Sequence, residues 1–486
     1  MKIFFRFSYI LIVVLVSACS KSTQSGDTSS SGSTSTTYNE LFIPPVITGT
    51  NFNLTLDKST KQFKTGASTA TYGYNGNNFW GPTLVMNQGD NVKINVTNNL
   101  SDATTVHWHG FHIPAIMDGG PHQIIDAGGK WSPSFVIKNN AGTYWYHPHL
   151  HMKTYEQLGM GAGGLIIIKD PIEAALSLPR TYGTDDIPLV LTSRRFNADN
   201  SISISGAYGD YQLSNGVMNA QVTLPKQYVR FRILNAEIER GYNLGFSDNR
   251  NFYIIGNDGG LLNAPVSVTR VKMMPGERIE ILVNLGNDAV GGSLDLKAYN
   301  SGQQFGFPGG EPATSGDFGS LLNNKDFSVL HINVGPTSTS PITSVPAKMA
   351  NHVYWTQADV TNSRTITITG GQGGSAFTFD NNTYGFSSIN QTVSLNAVEK
   401  WTIVNNNVFG HSFHVHDVQF KIVARSSGAV GEHESGWKDT VFVPLGETVT
   451  VIAKFDDFSD PVNPFMYHCH FSNHEDGGMM GQFLVK

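Results

Sequence analysis

From about residue 41 to the C-terminus, apolar and polar positions alternate over short runs set between glycine, asparagine and aspartate. Runs 84–87, 91–97, 134–137 and 165–169 have this character, as do 228–234, 278–283, 365–369, 401–404 and 448–455. Alternation with period two turns one side of a strand to a core and the other to water. Strands separated by turn residues at this density predict an all-β protein of sandwiches or barrels. Helical periodicity is scarce: 155–160 and 170–176 predict short pieces at most.

The first nineteen residues break the pattern. Lys2 and Arg6 precede an apolar run over 9–16, which ends at Ser17-Ala18-Cys19. This is a secretory signal, too short for a membrane span of ~20 residues, and its end is similar to the lipobox of bacterial lipoproteins, cleaved before a cysteine that is then acylated. Residues 20–40 begin with a stretch of Ser, Thr, Gly and Lys that cannot bury a core and reads as a flexible tether. Signal removal takes the net charge from −6 to −8, against a nucleic-acid partner, which calls for a basic face. With Cys19 acylated, Cys469 has no partner and no disulfide framework exists, so an exported chain that keeps one thiol uses it as a ligand.

An internal repeat sets the domain boundaries. The segment 90–99 leads into His107-Trp108-His109, and 399–407 leads into His414-Val415-His416. Tyr146-His147-Pro148-His149 matches Tyr467-His468-Cys469-His470, each followed by a Gly/Met-rich turn and a closing strand. The first and last domains read as copies, at 41–170 and 341–486, with 171–340 between them and without a histidine pair.

Eight of the sixteen histidines form four His-x-His pairs, 107/109, 147/149, 414/416 and 468/470. Residues i and i+2 of a strand share a face, so each pair offers two imidazoles to one metal cluster. Cys469 points the other way from His468 and His470, and with His474 and Met479 it supplies a thiolate, an imidazole and a thioether. A second imidazole completes the His₂Cys set with weak axial Met of a blue-copper site.

The motifs His107-Trp108-His109-Gly110, Tyr146-His147-Pro148-His149, His411-Ser412-Phe413-His414-Val415-His416 and His468-Cys469-His470…His474…Met479 resemble those of the three-domain multicopper oxidases, which include laccases and bacterial copper-tolerance oxidases. The resemblance implies three cupredoxin-like Greek-key β-sandwich or barrel domains and four copper ions. By position, His411, Cys469, His474 and Met479 match the type 1 ligands, and His107 and His414 the type 2 ligands. His109, His147, His149, His416, His468 and His470 match the type 3 pair, and Pro148, where the last domain has Cys469, leaves the first domain without a type 1 copper. Asp118 and Glu475 stand where the family carries acids that deliver protons. His112, His122 and His151 lie near the motifs but off the matched positions, while His331 and His352 read as structural. The loop around His433 is expected to border the type 1 site, with Asp439 a candidate second-layer or substrate-contact acid.

The implied activity couples four one-electron oxidations to reduction of O₂ to two waters. Copper-tolerance oxidases carry a Met- and His-rich insert in the last domain, but 344–386 holds only Met349 and His352. Phenols or aromatic amines are therefore the expected donors, with Cu(I) or another low-valent metal as the alternative. A copper-binding envelope protein without turnover is the reading from a different class; it has no need of the His-Cys-His relay. The expected form is a monomer, lipid-anchored in the cell envelope and facing the periplasm or exterior.

Overall fold

The protein is described here from a computed structural model covering residues 37–486. The expected signal, Cys19 and most of the expected tether lie outside the described residues. Among those described, no helix is long and apolar enough to cross a membrane.

Among the described residues the strands form six sheets in three sequential pairs, each pair closed over its own apolar core. In the first pair, Val46–Thr48, Thr83–Asn87, Gly164–Lys169, Gly142–His147 and His107–His109 lie side by side in that order. They face a sheet built on Thr69–Tyr74, Asn51–Lys61 and Asn91–Asn98. The last pair sets Gln391–Val393, Met480–Val485, Asp460–Cys469, His411–Val415 and Thr440–Val443 against a sheet containing Asn362–Gly370, Ala397–Asn405 and Thr448–Phe455. The repeat survives in the pairing. His107 is opposite His147 in the first pair, and His414 is opposite His468 in the last. The parallel partnership of Asn51–Lys61 with Asn91–Asn98 recurs as Asn362–Gly370 with Ala397–Asn405.

Outer strands keep the alternation expected of them. In Asn91–Asn98, Val92, Ile94 and Val96 are buried while Asn91 and Lys93 face water. Gly142–His147 and His411–Val415 are buried at every position. Tyr144 and Tyr146 turn to the first core, while Trp145 enters a separate apolar cluster with Val190, Leu213 and Leu234 of the middle pair. Strands covered on both faces lose the polar alternation that marks a half-exposed strand.

The middle pair starts earlier in the chain than expected. Asn39–Glu40 pairs in parallel with Ala220–Pro225, Leu41 joins the middle core, and Tyr38 stacks on His331 with ring centroids 4.1 Å apart. The segment expected to be tether up to residue 40 is thus partly ordered. A buried ionic network ties the middle to the first pair: Arg232 holds Asp186 and Glu280, and Thr143 of Gly142–His147 donates to Glu280 Oε1 at 2.6 Å.

Candidate metal centre

Strand parity separates two groups of ligands. In the last pair, His411, Phe413 and Val415 alternate with Ser412 and His414, and Phe465, Tyr467 and Cys469 alternate with Met466 and His468. Phe413, Val415, Tyr467 and Cys469 lie in the core between the sheets, and His411 shares their face. His414, His416, His468 and His470 point out of that sheet. In the first pair Trp108 and Tyr146 take the core, so His107, His109 and His147 also point outward. The two outward faces meet and eight imidazoles converge between them.

On the core side, Cys469 Sγ lies 3.6 Å from His411 Nδ1 and 3.7 Å from His474 Nδ1. Main-chain bonds fix the rest of the loop: Cys469 N–H donates to Met479 O at 3.1 Å, and Met479 N–H donates to His474 O at 2.9 Å. Met479, Cys469 and His411 are inaccessible, and His474 keeps 7% of its surface. Burial pushes the Cys469 thiol above its ordinary range and holds His474 down at about 3. The imidazoles are therefore neutral ligands, while the thiol needs a cation to ionise it.

On the outward side, His149 Nε2 lies 3.1 Å from Nε2 of both His416 and His468, and His109 Nδ1 lies 3.2 Å from His470 Nε2. His107 stacks on His416 at 3.8 Å and His109 on His414 at 3.9 Å. Three triads, His107/His109/His147, His107/His414/His416 and His149/His416/His468, each hold their ligand nitrogens within 4.8 Å of one another. All eight rings are at most 2% exposed, and Nε2 of His107, His147 and His414 has no hydrogen-bond partner. An orphaned buried acceptor costs ~1–3 kcal/mol. Burial and neighbouring imidazoles hold His149 and His468 down at about 3, with His109, His147, His414, His416 and His470 also lowered. Neutral nitrogens aimed at shared points fit bound cations, and imidazole with thiolate suits copper.

Acids surround the cluster. The Asp118 carbonyl accepts His107 Nδ1–H at 3.0 Å, and its Oδ2 accepts His416 Nδ1–H at 2.7 Å. Glu475 Oε1 accepts from Thr154 Oγ1 at 2.6 Å and lies 3.1 Å from His149 Nδ1; its Oε2 is 3.4 Å from His468 Nδ1. Asp439 does not border the His411/Cys469/His474 group as expected. Thr440–Val443 runs antiparallel to His411–Val415, with Val443 opposite His411 and Thr440 opposite His414. Asp439 therefore falls at the cluster end, 3.1 Å from His109 Nε2.

Sequence reasoning missed Glu239, whose Oε1 lies 3.6 Å from His474 Nε2, and Phe377, whose ring centroid is 4.4 Å from His474 and 4.8 Å from His411. Neither carries a local motif. Of the unmatched histidines, His112 binds Asp417 and Asp457, His122 binds Gln482, His331 binds Asp295 and His352 binds the Leu261 carbonyl. His151 packs on Tyr384, and His433 lines a cleft of about 430 Å³ with Lys272, Glu277 and Lys438.

Two family models described as Multicopper oxidase match residues 55–173 and 350–486. Multicopper oxidase mco of Staphylococcus aureus is 31% identical over 444 residues, covering 90% of this chain and 88% of that one. This chain belongs to the multicopper oxidase family. The cell division protein FtsP of Escherichia coli (strain K12) is 30% identical over 456 residues, with 92% of each chain covered. The laccase-like multi-copper oxidase CueO of the bacterium Ochrobactrum sp. matches with a TM-score of 0.82 at 29% identity, over 92% of this chain and 100% of that one. The cupredoxin-like all-β architecture is shared. As a laccase-like multicopper oxidase the protein is a copper-dependent oxidoreductase that takes electrons from a reducing substrate and gives them to O₂.

Proposed function

We propose that this multicopper oxidase oxidises phenols or aromatic amines, one electron at a time, with four coppers held by the residues that the sequence singles out. His411, Cys469, His474 and Met479 would hold the type 1 ion, and His107 and His414 the type 2 ion. His109, His147, His149, His416, His468 and His470 would hold the type 3 pair. The observation that carries this reading is the parity of one strand: Cys469 faces the core ligands while His468 and His470 face the cluster. Copper supplies the one-electron steps and the reduction of O₂ to water when bound.

The chain does the rest. His474 is the most exposed of the core ligands, and the Phe377 ring beside it gives an aromatic donor a surface to stack on. Cys469 links that side to the cluster through its two chain neighbours. Asp118 and Glu475 each contact two cluster histidines and deliver protons to the buried site. Met349 is buried against Leu261 and Leu282 and unavailable to an incoming metal, which favours organic donors over Cu(I). The Ochrobactrum relative is described as having oxidase activity towards lignin model compounds and lignosulfonate, in keeping with this class. Domains at 41–170, 171–340 and 341–486 remain the reading, with residues 39–41 packed against the middle pair. Acylation at Cys19 would hold a monomer at the cell envelope.

The test is O₂ uptake by copper-loaded, signal-free protein with a phenol and with Cu(I) in parallel, alongside copper content per chain. Uptake with the phenol and four coppers per chain is expected. A strong preference for Cu(I) would overturn the substrate assignment, and uptake with neither at full loading would favour a binding role.

A further inference from the structure

Two sheet edges from distant parts of the chain border a cleft that the copper assignment does not use. Val271–Met273 is the edge strand of one sheet of the middle pair, and Thr440–Val443 the edge strand of the histidine-bearing sheet of the last pair. Val441 and Val443 turn into the last core, so Phe442, between them, points out of its sheet. Phe442, Pro444, Val271, Met274 and Ile279 give the cleft apolar walls. Its volume of about 430 Å³ falls within the ~300–1,000 Å³ of small-molecule sites. No metal ligand lines it, and neither do Glu239 or Phe377 of the His474 side.

The charges along this cleft fall into two groups. Lys438 is neutralised by Asp258 at 2.8 Å and Glu277 at 3.0 Å, and Arg425 by Glu447 at 2.6 Å and by Glu434. Arg270 and Lys272 have no carboxylate partner among the described residues. Arg270 lies over the Tyr299 ring, 3.6 Å from its centroid, and donates to the Thr269 carbonyl at 2.5 Å. Lys272 Nζ lies 5.3 Å from the Phe307 centroid, and burial, with no acid opposing it, lowers its pKa below the usual lysine value. Aromatic faces hold both cations in place and leave their charge uncompensated. A third feature is deeper. Asn257 lines the cleft at 2% exposure, and its Oδ1 has no hydrogen-bond partner. Its Nδ2 donates to the His433 carbonyl at 3.4 Å, which fixes Oδ1 as the free acceptor. Buried acceptors are ordinarily met, so an orphan beside a cavity points to a donor that the cavity receives.

We propose that this cleft binds a small aromatic monocarboxylate, its carboxylate on Arg270 and Lys272, its ring against Phe442 and Met274, and a hydroxyl on it donating to Asn257 Oδ1. Two free cations beside apolar walls select an organic anion. Glu277, Glu434 and Glu447 line the same cleft and repel further negative charge, which favours one carboxylate over a phosphate or a diacid. An aromatic ring and a thioether in the wall suit an aryl body better than an alkyl chain. The ligand would bridge the middle and last sheet pairs, away from the donor surface beside His474. The site is independent of the donor assignment above.

The test is isothermal titration calorimetry of the copper-loaded mature protein with 4-(hydroxymethyl)benzoate, which has a carboxylate, an aryl ring and an alcohol but no phenol to oxidise. One saturable site per chain is expected. Arg270→Gln and Lys272→Gln should each weaken binding about 10–100-fold, the worth of a charge-assisted hydrogen bond, and the neutral 4-(hydroxymethyl)benzamide should lose a similar factor in the wild type. 4-Ethylbenzoate, with a methyl group where the hydroxyl was, leaves Asn257 Oδ1 unmet and should bind about 10-fold more weakly. No saturable binding at millimolar ligand, wild-type affinity in both variants, or equal affinity for the neutral amide overturns the proposal. Binding lost in Phe377→Ala but kept in Lys272→Gln would put the ligand beside His474 and overturn it too. Should either cation variant fail to fold, as a lowered urea midpoint would reveal, acetylation of the wild type decides. The benzoate should slow acetylation of Lys272 several-fold, read by peptide mass spectrometry, and leave Lys93 on its outer strand unaffected. Unslowed acetylation of Lys272 overturns the proposal.

Discussion

Glu280 is where the histidine-bearing strand Gly142–His147 is fastened to the middle of the molecule, and replacing it with glutamine tests that fastening quantitatively. Glu280 is 1% exposed and accepts from Arg230 and Arg232 as well as Thr143. Burial alone would raise its pKa, but the two guanidinium charges outweigh burial and bring it from 4.5 to about 2. A depression of that size favours the ionised form by about 3 kcal/mol, in line with the ~3–5 kcal/mol lost when a buried pair is broken. Glu280→Gln mimics the protonated acid in shape, so the variant should be less stable by about 3 kcal/mol at pH 7. Because the folded value is depressed, this advantage is present in full above the unfolded value of 4.5 and disappears as pH falls through about 2. At pH 3 the gap should have shrunk to about 1.5 kcal/mol. Urea unfolding of metal-free wild type and variant, followed by tryptophan fluorescence at both pH values, measures it. A gap below about 1 kcal/mol at pH 7, or one that does not narrow at pH 3, would refute the linkage argument.

Three other outcomes are expected. Cys469→Ser should lose the blue absorption and O₂ uptake while the metal-free fold stays within ~1–2 kcal/mol of wild type, since a hydroxyl there can donate to His411 or His474; retained uptake would rule out the relay. Glu475→Gln should slow O₂ reduction by about 10²–10⁴-fold without altering anaerobic reduction of the blue site by a phenol, and rapid-mixing absorbance separates the two steps. His112→Gln should destabilise the protein near neutrality but not in alkali. Burial would lower the His112 pKa, but Asp417 and its neighbours outweigh burial and raise it from 6.5 to about 9, so the pair fades as pH rises through 9; burial raises Asp417 to about 6, so the pair also weakens as pH falls through 6. An equal deficit at pH 7 and pH 10, read from urea midpoints, would count against the pair.

The ligands were legible because their signal is local. The direction of a side chain on a strand follows from parity, so His107/His109, His147/His149, His414/His416 and His468/His470 declare their shared faces within three residues, and Cys469 its opposite one. The outer strands were legible for the same reason, through alternation such as that of Asn91–Asn98. The helix Ser472–Asp476, which carries His474 and Glu475, gave no such signal; it is five residues long and has no side-chain cap.

What lies around the ligands was decided by packing between distant parts of the chain. Asp439 meets His109 across 330 positions and Arg278 across 161, and the sheet register alone puts it beside the cluster rather than near His411. Glu239 reaches His474 from the middle pair in the same way. The sequence determined which atoms can bind metal and on which face of a strand they stand, because covalent geometry sets both. Tertiary structure decided which nitrogen of each imidazole carries the proton, because that depends on the oxygen that packing brings to the ring.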